Sequence, residues 1–299
     1  MGEHLLMDER PSLERPVLVA AFRGWNDGAQ GASLAVGYLA QAWAAERFAE
    51  IDPEEFYDFQ AVRPHVSLVD GVTRHIDWPE NAFYDASIPA PSNVGERDAV
   101  LLLGVEPNTR WRTFTGEVVD LARQLEVELV VTLGALLADV PHTRPSPVTG
   151  AATDPELVEE LGLATSRYEG PTGIVGVLHD ACRAADLPSA SLWAAVPHYA
   201  SMAPSPRAAL ALCTRLIELV ETELDLGELE RAGDLYEQQV SEAVAADEET
   251  AAYVRELERR ADDLGAAEDL PSGDTLAAEL TRFLQEHEAR RRAEEESED

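Results

Sequence analysis

The chain has 299 residues, 45% of them hydrophobic, enough to bury a full core. Its formal net charge of −34 sets it against phosphate backbones and anionic lipid, and so excludes nucleic acid and membrane surfaces as partners. All 23 basic residues are arginine, which excludes a phosphate-loop lysine, a Schiff-base lysine and any lysine grip on ATP.

The N-terminal stretch MGEHLLMDERPSLERP is polar and acidic, without the basic start and apolar centre of a signal peptide. PVLVAAF (16–22) is a fully apolar strand, and it enters a glycine-rich loop that opens a helix from about 30 to 48. Short strand-like pieces follow at FYDFQ (56–60), HVSLV (65–69) and VTRHIDW (72–78). The last two flank Asp70-Gly71, a strong hairpin signal. In that hairpin His65 and His75 are expected to face each other. AVLLLGVE (99–106) is a second apolar strand, FTGEVVDLARQLEV (114–127) a helix, and ELVVTLGALLADV (128–140) a third buried strand. The segment PHTRPSPVTGAATD (141–154) reads as a rigid exposed loop or strand edge. TDPELVEELGL (153–163) begins a helix capped by Thr153 or Asp154, with Pro155 just inside. A helix at 173–187, a fourth apolar strand SASLWAAVP (189–197) and a long amphipathic helix at 205–226 complete the series.

Apolar strands separated by helices imply an α/β domain over residues 1–225, with a mostly parallel sheet covered on both faces. Beyond it the composition shifts: residues 227–299 hold 23 Asp/Glu and 8 Arg. Leu229, Leu235, Tyr236 and Val240, then Tyr253, Val254 and Leu257, recur at helical spacing. After a break at DLPSGD (269–274) comes one more helix, from Thr275, and a disordered tail, EEESED. Residues 226–299 are therefore expected to form an acidic helical extension.

The seven histidines form no ligand pair of recognisable spacing, so no metal is expected, and no other cofactor either. There is no G-x-S-x-G elbow. Cys182 and Cys213 are isolated and fall in helices, as packing thiols in a reducing cytoplasm do. Parallel sheets place ligands at the C-terminal ends of their strands. Four loops meet that description. The first supplies Arg23, Trp25, Asn26 and Asp27; the second Glu106, Asn108, Arg110 and Trp111. The third runs from Asp139 to Arg144, and the fourth supplies His198 and Tyr199. In a pocket, Arg23 or Arg110 holds an anion and Trp25 or Trp111 stacks a ring. Glu106 or Asp27 serves as acid or base, with His198-Tyr199 as a base and its orienting partner. The alternatives are structural: Asn26 or Asp27 caps the helix that follows, and His198 is a buried hydrogen-bonded group.

GPTGIVGVLHDAC (170–182), followed by SLWAAVPHYASMAPSPRAALALCTRL (191–216), resembles the proteasome assembly chaperone two family, and most closely its uncharacterised actinobacterial branch. VAAFRGWNDGAQGAS (19–33) and LLLGVEPNTRW (101–111) are similar to the same branch. The resemblance implies a three-layer α/β/α fold like that of nucleoside phosphorylases and hydrolases, assembled as a homo-oligomer. It also implies protein partners, among them proteasome subunits. The family's eukaryotic members dock a C-terminal hydrophobic-tyrosine-any motif into the proteasome ring. This chain ends Ser297-Glu298-Asp299 and does not carry that motif. The leading expectation is a non-catalytic protein-binding or assembly factor in the cytoplasm. The alternative is a hydrolase or phosphorylase-like enzyme acting on a small anionic or nucleoside-like ligand at the strand edge.

Overall fold

The computed structural model describes residues 3–265, apart from 90–94, 96, 153, 161, 164–167 and 202–203. In chain order it contains β1 (Leu5–Met7), β2 (Val17–Arg23), α1 (Gly31–Ala42), β3 (Glu46–Ile51), β4 (His65–Val69), β5 (Thr73–Asp77), β6 (Asn81–Ile88) and β7 (Arg97–Val105). Then come α2 (Trp111–Gln124), β8 (Leu129–Ala138), β9 (Val148–Ala152), α3 (Pro155–Glu160), α4 (Ile174–Ala184) and β10 (Ser189–Pro197). Three helices follow: α5 (Pro206–Leu219), α6 (Gly227–Ala245) and α7 (Glu248–Gly265). No helix among the described residues is long and apolar enough to cross a membrane.

The eight-stranded sheet has the order β1-β3-β6-β7-β2-β8-β10-β9. Its centre is parallel: β2 pairs with β7 and β8, and β8 pairs with β10. Antiparallel strands flank that centre on both sides. The continuous apolar pattern of β2 follows from its cover. Val17, Val19 and Ala21 face α1 and α5, packing with Leu39 and Leu212. Leu18, Ala20 and Phe22 face α2 and α4, packing with Phe114 and Ile174. This is the three-layer α/β/α arrangement, and it aligns the C-terminal ends of four parallel strands on one edge.

Four sequence expectations need correction. The helix expected over 205–226 ends at Leu219, just before the left-handed Glu221 (φ 54°). The helix drawn to residue 48 ends at Ala42, and β3 begins at Glu46. The stop is a left-handed Ala44 (φ 50°), with the Ala45 N–H donating to the Ala40 carbonyl at 2.9 Å. That closing geometry normally announces itself with glycine, and here it does not. FYDFQ is not a strand. Asp52 caps a short turn over Pro53–Glu55, and Phe56 is then buried edge-on against His4 and Phe114. Finally, the hairpin forms where expected, with Asp70 and Gly71 both at positive φ (53° and 72°). Its register, however, sets His65 opposite Asp77 and His75 opposite Ser67.

Asp154 caps α3, its Oδ1 accepting the Glu156 N–H at 2.8 Å; Thr153 lies outside the described residues. So do the helix expected from Thr275 and the acidic tail. α6 runs along α5, with Leu229 buried in the same apolar cluster as Leu212 and Leu216, and Tyr236, Val254 and Leu257 are buried as well.

Candidate functional site

Glu106 follows β7 directly, and its carboxylate ties three segments together. Oε2 accepts the Trp25 N–H at 3.2 Å; Oε1 accepts the Asn26 amide at 3.0 Å and the Ile174 N–H at 2.8 Å. The last is the first residue of α4, where a negative charge meets the helix dipole favourably. The approach is close enough to require glycine on both sides. A Cβ on Gly24 (φ +141°) would stand 2.9 Å from the Glu106 Cβ, and one on Gly173 would stand 2.2 Å from Asn26 Nδ2.

Asn26 and Asp27 are buried. The Asn26 carbonyl accepts the Ala135 N–H at 2.9 Å, which lays the loop against β8. Asp27 Oδ1 accepts the Ala32 and Ser33 N–H groups at 2.8 and 3.2 Å. It therefore caps α1, but from a distance, because a short turn over Gly28–Gln30 stands between them. Among the described residues Asp27 Oδ2 has no hydrogen-bond partner, and burial raises the Asp27 pKa above its ordinary value. Arg23 and Trp25 point outward, Trp25 being 43% exposed.

The rest of the second loop turns elsewhere. The Asn108 N–H donates to the Phe56 carbonyl at 2.9 Å, and its Oδ1 accepts the Asp58 N–H at 3.0 Å. Arg110, left-handed at φ 54°, precedes α2 and pairs with Glu55. The Trp111 indole N–H donates to the Pro107 carbonyl at 2.5 Å.

The third and fourth loops meet each other under α6 and α7. His198 Nδ1 lies 3.2 Å from Asp139 Oδ1, which also accepts the Tyr253 hydroxyl at 3.0 Å. The rings of His198, Tyr199 and Tyr253 pack edge to face. Beside them, Tyr199 Oη accepts the His142 backbone N–H at 2.8 Å and lies 2.8 Å from His142 Nδ1. His142 Nε2 lies 2.9 Å from Ser241 Oγ, so the imidazole bridges the Tyr199 and Ser241 hydroxyls. Burial lowers the His142 pKa, consistent with a neutral ring, and pushes the Tyr199 hydroxyl up to about 12. Thr143 donates to Glu258 at 2.6 Å, and Arg144 grips Asp262 through two bonds of 2.7 and 2.9 Å.

Of the ten candidate residues, Arg23 is exposed, Asp27 caps α1 and Trp111 bonds within its own loop, and the other seven divide among three groups. Trp25, Asn26 and Glu106 share bonds with the start of α4, and Asn108 and Arg110 meet residues 55–58. His198 and Tyr199 lie beneath the α6–α7 pair. The sequence places the loop from Asp139 to Arg144 on the strand edge but does not single out His142 or Arg144 within it. Their partners Ser241, Glu258 and Asp262 lie on helices that read only as amphipathic; the i, i+4 spacing of Glu258 and Asp262 on one helix face was the available signal. Among the described residues, no three His, Cys, Asp or Glu side chains are placed to hold a metal. An open cleft of about 590 Å³ lies elsewhere, between α5, α6 and the start of β9, and none of the candidate residues lines it.

Residues 21–244 match the PAC2 family model. Among solved structures, the chain is similar to a PAC2 family protein from Streptomyces avermitilis, with 48% identity, a TM-score of 0.73, and coverage of 80% of this chain and 99% of that one. It is also similar to a Mycobacterium tuberculosis proteasome-assembly chaperone homologue, with 46% identity, a TM-score of 0.71 and the same two coverages, 80% and 99%. An archaeal proteasome activator from Pyrococcus furiosus shares the fold at 17% identity, with a TM-score of 0.65 over 80% of this chain and 97% of that one. No curated protein matches the chain.

Proposed function

The chain belongs to the PAC2 family, and from that premise we propose that it is a non-catalytic protein-binding or assembly factor of the cytoplasm. Its partners include proteasome subunits, and it works as a homo-oligomer. The observation that carries the proposal is the use made of Glu106. Its carboxylate, the best-placed acid on the strand edge, is committed to two backbone N–H groups and the Asn26 amide. Asp27 is likewise committed to capping α1, and His198 and Tyr199 lie under the helical cover. A hydrolase or phosphorylase would need one of these groups to meet its substrate. The relative from M. tuberculosis, described as a proteasome-assembly chaperone homologue at 46% identity, supports the choice of partner.

Affinity capture from the cell that makes the protein tests the proposal. Proteasome subunits are expected to be enriched over a control bait of similar charge. Equal recovery on both baits would overturn the assignment of partner.

A further inference from the structure

Two surfaces are left uncovered by the described residues, and they match. The first is the hairpin β4–β5, a two-stranded sheet separate from the main one. The cross-strand register puts Val66, Leu68, Arg74 and Ile76 on one face. Val66, Leu68 and Ile76 are 64%, 62% and 50% exposed. An isolated hairpin with an open apolar face is marginal in water, so this one gains from a surface to lie on. The single charge on that face is a cation, Arg74, in a chain of net charge −34.

The second surface is the cleft of about 590 Å³ between α5, α6 and the start of β9. Val148, Leu210 and Ala211 supply apolar lining. Its two arginines are held by the chain's own carboxylates, Arg207 by Glu237 and Arg215 by Glu218. The rim carboxylates Glu230 and Asp234 have no ion-pair partner among the described residues. An apolar floor with an acidic rim thus stands ready for an apolar face that carries one cation.

We propose that the apolar face of the β4–β5 hairpin of one copy docks into this cleft of a second copy, with Arg74 against Glu230 and Asp234. No hairpin residue lines the cleft of its own chain. The hairpin leads directly into β6, and β6 stands five strands from β9 in the sheet, roughly 24 Å at the spacing of neighbouring strands. A different acidic protein would satisfy the hairpin alone; a second copy of this chain satisfies both surfaces. Because the two surfaces differ, the contact is head-to-tail, and its repetition builds a ring where the rotation closes and an open filament where it does not. It presupposes the homo-oligomer proposed above and assigns its interface.

Sedimentation of the full chain and three variants tests the contact, with circular dichroism confirming that each variant is folded. The wild type is expected to sediment as an oligomer. Arg74→Glu alone, and Glu230→Arg with Asp234→Arg alone, are each expected to weaken self-association at least tenfold. Combining all three substitutions reverses both sides of the contact and is expected to restore the oligomer. An oligomer unchanged by either reversal, or dissociated by only one of them, would overturn the hairpin-in-cleft contact and leave the homo-oligomer standing. A wild-type chain that stays monomeric at every concentration would overturn both.

Discussion

The carboxylate of Glu106 accepts the Ile174 N–H at 2.8 Å, so the end of one central strand holds the start of a helix 68 positions further along the chain. Trp25 and Asn26 complete the tie. Replacing Glu106 with alanine leaves three donors without their acceptor at a part-buried junction. The expected loss is about 3 kcal/mol of unfolding free energy, the scale of several hydrogen bonds to a charged group. Urea denaturation of the purified variant checks it. A loss below about 1 kcal/mol would mean that the carboxylate is not the tie described.

The four central strands were legible as apolar runs because both faces of each are covered, which removes the polar alternation. The flanking strands were not. β3 reads ERFAEI and continues the composition of the preceding helix, and the turn between them is made by Ala44 rather than glycine. For the candidate site, positions were legible and partners were not. Strand ends mark Arg23 and Glu106, but what Glu106 or His142 meets depends on segments about 70 to 100 residues away. The covering helices α6 and α7 read as an appendage because their polar contacts with Thr143 and Arg144 leave no local pattern.

The left-handed Ala44 is a place where stability can be raised. An alanine with φ 50° carries a conformational cost of roughly 1–2 kcal/mol, and glycine gives back part of that gain through its freedom in the unfolded chain. Ala44→Gly is expected to stabilise the protein by about 0.5–1 kcal/mol, since the Ala44 side chain is exposed and packs against little. Thermal unfolding checks the sign.

His179 gives the fold a predictable acid limb. Burial lowers its pKa to about 4, with Ser189 Oγ 2.8 Å from Nδ1. A histidine whose folded pKa is depressed contributes stability in full above its unfolded pKa of roughly 6.5, and that contribution is lost as pH falls toward the folded value. Between pH 6.5 and about 4 the wild type is therefore expected to lose roughly 3 kcal/mol through this group. His179→Gln should flatten that part of the stability profile, measured by urea unfolding at several pH values. An unchanged slope would show that His179 titrates normally.

The cover formed by α6 and α7 is held to the strand edge by Arg144–Asp262, Thr143–Glu258 and the His142–Ser241 bond. Arg144→Ala with His142→Phe is expected to raise amide hydrogen exchange in residues 227–265 at least tenfold while leaving β2, β7 and β8 protected. Exchange that rises equally in the central strands would mean that the cover and the core unfold as one unit.

The most direct test of the central claim is native mass spectrometry of the purified chain mixed with purified proteasome α-subunits from the same cell. A protein-binding assembly factor is expected to give a stoichiometric complex that neither component forms alone, and Glu106→Gln, if folded, should form it equally well. Failure to form any complex at tens of micromolar, together with turnover of a small-molecule substrate that Glu106→Gln abolishes, would contradict the account.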